Sequence, residues 1–435
     1  KMRRLGQKMN FKHSHQLLEN ALKVIPGATQ TFSKGFNQFV QGVSPVFLER
    51  GSGSHVWDVD GNEYIDYIMA LLSNILGYSY EAVNESVRNQ LEKGVSFSLP
   101  HPLEVELAEK LVQIIPCAEM VKFGKSGSDA TSGAVRVSRA YTGKDVILYC
   151  GYHGWHDWHI GATSRNLGVP EQVSALTHNF KYNDTENLCD LFKKHKGKVA
   201  AVIMEPMNFF EPRDGYLKEV KDLCQQNETL LIFDETITGF RFSRGGAQEL
   251  FDVIPDLATF GKVVANGFPL SIIVGRKEIM ERFNDVFYSL TFGGETASLA
   301  AGISTLKELQ EKDVVGHLYR QGEKIKNFIN KTAKDLDIQE NIECVGRPCF
   351  SLIRFMDNDG KDSLELRSLF QQEVIRQGIL FAVTNNLSFS HSDRDIEKTI
   401  EVYGNAFEVL KNAIKESSTE KYMLGKPIEP IFKVR

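Results

Sequence analysis

Hydrophobic positions along the chain switch between two periods. Residues 16–25 (QLLENALKVI) repeat apolar side chains at helical spacing and stop at Pro26-Gly27, which predicts a short amphipathic helix. Val46–Glu49, His55–Val59 and Tyr64–Tyr67 read as strands, with Asp60-Gly61 as a tight turn. Residues 103–115 predict another amphipathic helix, ended by Pro116. Apolar runs and helical stretches then alternate. Strands are expected near 120–123, 145–150, 199–205, 229–234, 257–260 and 271–275, with helices over 129–141 and 215–226. Helical spacing dominates again from about 297 to 335, and the remainder to 435 mixes both periods.

Apolar strands alternating with helices predict an α/β protein with a mostly parallel sheet covered by helices on both faces. The large domain is expected over 76–310. A small α+β domain is expected from both chain ends, 1–75 and 311–435. No repeat or low-complexity linker interrupts the chain, and 435 residues suit one large and one smaller core.

Composition narrows the partners. Hydrophobic residues make up 42% and charged residues 25%, as in an ordinary globular protein. A net charge of −5 gives no reason to expect nucleic acid or an anionic membrane. No stretch reaches the length of a membrane span. The basic Lys1–Lys8 is followed by no apolar run, which argues against a signal peptide. The cysteines 117, 150, 189, 224, 344 and 349 are scattered without ligand spacing. They read as reduced thiols in a cytoplasmic protein.

Candidate chemistry gathers at the ends of the expected strands, where open α/β sheets bind ligands. Lys262 lies in the apolar, glycine-containing segment Leu257–Leu270, and Asp234 ends the run Leu230–Asp234. An amine in apolar surroundings is eased toward its nucleophilic neutral form. A strand-end aspartate can hold a protonated ring nitrogen. Together these are the two protein groups that pyridoxal 5'-phosphate chemistry requires. Alternatively, Lys262 is a surface lysine and Asp234 a helix cap. Ser126, Gly127 and Ser128 open the next helix, where backbone N–H groups and the helix dipole favour an anion. An ordinary N-cap would use the same residues. Gly151-Tyr-His-Gly154 follows a strand and presents Tyr152 as a face for a planar heterocycle, or as plain core. His153, His156 and His159 lack an outside ligand partner, so no metal site is expected. Glu205 ends another strand. Thr291 precedes a helix and offers a hydroxyl.

These motifs, in this order, make the chain resemble the class III (subgroup II) pyridoxal-phosphate-dependent aminotransferases, and within them the glutamate-1-semialdehyde 2,1-aminomutase branch. The resemblance runs from Leu17 to about Leu410. It includes Trp57–Asp66, Ser126–Thr131, Gly151–Gly154, Asp234–Arg241 and Gly261-Lys262. It implies the fold-type-I transferase architecture, with Lys262 forming the internal aldimine and moving the substrate proton. It further implies that Asp234 pairs with the pyridinium and that Ser126, Gly127 and Ser128 hold the phosphate. Tyr152 and Thr236 would lie on opposite ring faces, and Glu205 near the ring hydroxyl. Thr291 matches a threonine that reaches the neighbouring subunit's phosphate, which implies a homodimer with shared active sites.

Departures from the aminomutase pattern bear on the substrate. The loop Pro-Gly-Gly-x-x-Ser-Pro-Val-Arg reads Pro26–Lys34 here, so Ser33 and Lys34 are the candidate substrate residues. Lysine replaces a planar arginine fork by a point charge. Ser-Gly-Asn-Pro becomes Gly293-Gly-Glu-Thr296, and Gly161–Pro170 is shorter than the aminomutase gate. An aminomutase must retain a small intermediate, whereas an aminotransferase must release a keto acid and admit an acceptor. The expected function is therefore transfer of an amino group from an amino-acid donor, glutamate, to an aldehyde or keto acceptor. Lys34 and Lys125 are expected to recognise an anionic group on that acceptor. A related isomerase or epimerase is the alternative. The missing GxGxxG argues against a dinucleotide site.

Overall fold

The computed structural model describes residues 9–430. The segment behind the signal-peptide expectation, Lys1–Lys8, lies outside them, as do residues 431–435. Fourteen strands follow among the described residues: β1 (Leu48–Ser52), β2 (His55–Asp58), β3 (Glu63–Asp66), β4 (Met120–Gly124), β5 (Val146–Cys150), β6 (Thr177–Asn179), β7 (Val199–Met204), β8 (Leu230–Asp234), β9 (Leu257–Phe260), β10 (Ser271–Gly275), β11 (Ile342–Arg347), β12 (Phe350–Phe355), β13 (Ile379–Leu380) and β14 (Thr384–Asn386). The chain divides into two compact units. Among the described residues, one comprises 9–71, 75–80 and 316–430, the other 81–315 with 72–74.

The second unit is built on a seven-stranded sheet of order β4-β10-β9-β8-β7-β5-β6. Strands β5 to β9 pair in parallel, whereas β10 runs antiparallel to both β4 and β9. Only residues 261–270 connect β9 to β10, too few for the crossover that a parallel neighbour needs. Strands β5, β7, β8, β9 and β10 are buried at every position, which is why their sequences are largely apolar rather than alternating. Helix Gly127–Thr142 lays Ala130, Ala134 and Val137 on this sheet in one cluster with Ile203, Ile232 and Ile273. Its small residues let the helix lie close to the strands. Gly143, with φ +66°, ends it in a left-handed cap. Because this helix begins directly after β4, its N-terminus sits by construction at the sheet's edge.

The first unit holds two small sheets, β1-β2-β3-β13 and β11-β12-β14. Strands β1 to β3 form an antiparallel meander, and β13 pairs with β3 in parallel. Asp58 accepts from the backbone of Asp60 and Asn62 and from the Tyr64 hydroxyl at 2.9 Å, fixing the expected Asp60-Gly61 turn. His55 joins this meander to helix Asp393–Lys415. Its Nδ1 meets Glu63 Oε1 at 2.8 Å and its Nε2 meets Asp395 Oδ1 at 3.0 Å. Both partners accept, so both ring nitrogens donate and the ring is an imidazolium. The Asp395 hydrogen bond is the main reason the His55 pKa is raised above 6.5. Burial would push the Asp395 carboxyl up, but its bonds from His55, Ser392 and Ser54 hold it far below the usual carboxylate range.

A raised histidine pKa stabilises the fold fully below its unfolded value, and that contribution disappears as pH climbs through the folded value. His55→Gln is therefore expected to lower the melting temperature most below about pH 6.5. The gap to wild type should close as the medium becomes alkaline. Melting curves of both proteins across that range check this, and a gap independent of pH would contradict it.

Candidate active site

The site is built at the carboxyl ends of β5, β7, β8 and β9. Asp234, the last residue of β8, is buried. Its Oδ2 accepts from His153 Nδ1 at 2.8 Å. Its Oδ1 accepts from Thr259 Oγ1 at 3.2 Å and from the Thr236 amide at 3.1 Å. Burial alone would push this carboxyl up, but the bonds from His153 and Thr236 outweigh it and hold the pKa below its ordinary value. Asp234 is thus an anion without an arginine or lysine bonded to it in this network. A carboxylate has about four acceptor positions, and these three bonds leave one for a further donor.

His153 is the partner that sequence reasoning missed. Its Nδ1 serves Asp234 and its Nε2 lies 3.2 Å from the Cys150 carbonyl. Its backbone N–H donates to His159 Nε2 at 3.2 Å. His159 is itself buried, and burial lowers its pKa to about 3, so it is neutral and accepts at Nε2. The ring of His159 also meets Tyr152 edge-on, with centroids 5.6 Å apart. His156 is separate from this group and bonds Ser132 Oγ at 2.6 Å. The three histidines are therefore spent on different partners, and no cluster among the described residues could hold a metal ion. The flanking glycines were the available signal for His153. For Thr259, the signal was a lone polar residue in an apolar strand, in register with Asp234.

Lys262 opens the turn Lys262–Ala265 after β9, three residues beyond the Thr259 that pairs with Asp234. Its backbone lies in the left-handed region, at φ +43°. Such a conformation in a non-glycine residue is costly and concentrates at functional sites. Glu205 is buried directly after β7, and its amide bonds the Cys150 carbonyl at 3.1 Å. Burial, followed by the charge of Glu205, pushes the Cys150 thiol up to about 12.

The turn from β4 into helix Gly127–Thr142 divides its serines between two tasks. Ser126 is the N-cap, accepting from the Asp129 amide at 3.2 Å, while Asp129 Oδ2 accepts from the Ser126 amide at 2.7 Å. Ser128 is buried, and its Oγ accepts from the Trp155 amide at 3.2 Å. That leaves the Ser128 hydroxyl hydrogen free in direction, to donate to an anion. Gly127 and Gly261 approach each other. A side chain on Gly127 would meet Thr236 Cγ2 at 3.4 Å, and one on Gly261 would lie 3.7 Å from the Gly127 Cα. The amides of this helix start and the Ser128 hydroxyl are donors of the kind a phosphate needs, and Thr236 lies against Gly127 beside them. With the open acceptor on Asp234 and the Lys262 turn, these residues fit pyridoxal phosphate.

Thr291 is exposed. Ser33 and Lys34, in the first unit, are exposed in the turn Phe32–Lys34. Lys125 was expected to await an anionic substrate, yet its Nζ bonds Glu295 Oε1 at 2.8 Å.

Comparison with known proteins agrees with this chemistry. The family model described as "Aminotransferase class-III" matches residues 38–383, and the chain belongs to that family. The glutamate-1-semialdehyde 2,1-aminomutase of Desulforamulus reducens is 36% identical, covering 92% of this chain and 98% of its own. The 3-aminobutyryl-CoA aminotransferase of Cloacimonas acidaminovorans is 35% identical, covering 94% and 100%. Among solved structures, the pyridoxal phosphate internal aldimine form of the FumI protein of Sphingopyxis sp. MTA144 superposes with a TM-score of 0.86 at 26% identity, covering 92% and 97%. The protein is a pyridoxal-phosphate-dependent enzyme of fold type I, and its reaction is of the transaminase type.

Gly154 tests the anion turn. Its φ is +100°, and a Cβ there would fall 2.3 Å from Ser128 Oγ. Gly154→Ala is expected to displace Ser128 and to weaken cofactor affinity at least tenfold, roughly the 1.4 kcal/mol of one good hydrogen bond to a charged group. Gly168→Ala is the control, because that glycine also has positive φ, +90°, but open space around it. Titration of cofactor-stripped protein with pyridoxal phosphate reads both variants.

Proposed function

We propose that this enzyme transfers an amino group from an amino-acid donor, glutamate, to an aldehyde or keto acceptor at a site formed around Lys262 and Asp234. The observation that carries this reading is the buried Asp234 anion with one acceptor position left, one strand away from the Lys262 turn. Bound there, pyridoxal phosphate supplies an aldehyde for the amine and a ring that draws electrons from the substrate's α-carbon. The protein's part follows from its own groups. Asp234 keeps the ring nitrogen protonated, and His153 with Thr259 keeps Asp234 ionised and oriented. Gly127 and Ser128, at the start of a helix capped by Ser126, hold the phosphate. Tyr152 and Thr236 would flank the ring of the bound cofactor, and Glu205 would serve the side that bears its hydroxyl. Lys262 carries the proton off the α-carbon and returns it one atom further along.

Two substrates must exchange at one site in such a reaction, and the short segment Gly161–Pro170 favours exchange over retention. Ser33 and Lys34 are the residues we assign to the acceptor's anionic group. The relatives support the chemistry without choosing the substrate, since an aminomutase and an aminotransferase are similar to nearly the same degree. A homodimer, with Thr291 reaching the phosphate of the second copy, is consistent with the exposure of that residue. Six cysteines outside any disulfide suit a cytoplasmic setting, and no helix among the described residues is long and apolar enough to cross a membrane.

The absorbance of the holoenzyme tests the proposal. A band near roughly 410–420 nm is expected to shift toward about 330 nm when glutamate is added and to return with the right acceptor. Lys262→Ala should lose that response together with turnover. Turnover of glutamate-1-semialdehyde with no external donor would replace this reading with the aminomutase.

A further inference from the structure

Lys125 and Glu295 lie 170 positions apart, yet they form an ion pair at 2.8 Å with side chains only 19% and 11% exposed. Each is anchored on its own side. The Lys125 amide donates to Asp129 Oδ2 at 3.1 Å, beside the Ser126 amide on the same oxygen, so Lys125 belongs to the turn that opens helix Gly127–Thr142. Glu295 is the N-cap of helix Thr296–Glu311. Its carboxylate accepts from the amides of Ala297 at 3.0 Å and Ser298 at 3.2 Å. Burial would push the Glu295 carboxyl up, but the Lys125 bond and the cap hold it below its ordinary value. Glu295 also ends the loop that bears Thr291. Within that loop the Gly293 amide bonds the Leu290 carbonyl, and the Glu295 amide bonds the Phe292 carbonyl. At its tip Thr291 and Phe292 are exposed.

We infer that Lys125 and Glu295 are a pair of positioning residues, a strut that holds the turn Ser126–Ser128 and the Thr291 loop at a fixed spacing. The argument is one of geometry and charge. A lysine directly beside an anion-binding turn would ordinarily be taken as a ligand for the anion. Here its amine is bonded to a carboxylate that also satisfies the start of a second helix. A charge-assisted bond of this length, largely shielded from water, has far more rigidity to offer than an exposed lysine. One end fixes the backbone amides that face the phosphate. The other fixes the root of a loop whose tip is free to serve a second copy of the chain. The inference rests on reading Ser126–Ser128 as the phosphate turn.

The experiment titrates cofactor-stripped full-length protein with pyridoxal phosphate and follows the absorbance of the bound form. Lys125→Met removes the amine. Glu295→Gln removes the charge but keeps an oxygen for the helix cap. A strut predicts that both variants weaken affinity about equally, roughly five- to tenfold. It also predicts that the double variant is no worse than either single one, and that Lys125→Arg restores the wild-type value. Amide hydrogen exchange at Gly293 and Glu295 should accelerate in both single variants, which a direct phosphate ligand would not require. If Lys125→Met weakens binding while Glu295→Gln strengthens it or leaves it unchanged, Lys125 is itself the phosphate ligand and the strut is wrong. Unchanged affinity in both variants, or a loss confined to Glu295→Gln, also overturns it. Ser128→Ala separates the two levels. If it weakens binding while the pair variants do not, only the strut fails. If it too has no effect, the reading of the phosphate turn fails with it.

Discussion

The proposed chemistry depends on keeping one carboxylate ionised where water barely reaches it. Moving a carboxylate out of water ordinarily favours its neutral form. Asp234 resists because three donors converge on it from three separate segments: His153 after β5, Thr259 on β9 and the Thr236 amide just past β8. The Thr236 amide is supplied by the adjoining turn, but His153 and Thr259 lie 81 and 25 positions away, beyond the reach of a single helix or turn. The parallel sheet is what brings them together, because adjacent strands end side by side and their following residues share one edge.

The neighbouring acid shows the opposite use of the same strand end. Glu235 is fully buried and accepts from Thr238, from the amides of Ala247 and Gln248, and from the Gln248 side chain. All of its hydrogen-bonding capacity is spent on the fold. Burial pushes its carboxyl up, so it has none of the ready anionic character of Asp234. Two acids adjacent in sequence thus differ in role because alternate side chains of a strand face opposite sides of the sheet. Only Asp234 keeps an acceptor position to spare.

How much of this could be read from the chain alone follows from the range of each interaction. The buried strands were legible because a strand covered on both faces must be continuously apolar, and Asp234 stood out as the charge that ends such a run. Ser126 was legible as either a cap or an anion donor. The structure makes it the cap and leaves Ser128 with the spare hydrogen. The antiparallel course of β10 was not anticipated, although the short connection after β9 already dictated it. His153 and Lys125 were misjudged for a common reason. Their partners lie 81 and 170 residues away, and no local pattern encodes a contact at that separation. Glycines 151 and 154 marked where His153 sits without saying what it touches.

Lys262 carries a further consequence. With φ at +43° its backbone occupies a region that glycine enters freely and lysine does not. A non-glycine residue held there costs on the order of 1–3 kcal/mol, a sizeable part of the margin by which a domain stays folded. The residue best suited to the fold at this position is therefore not the one the proposed reaction requires. Glycine at 262 would suit the backbone better and leave the proposed reaction without its amine. Under the proposed reaction the requirement for an amine opposes the preference of the backbone, and folding and catalysis pull in different directions at this one position.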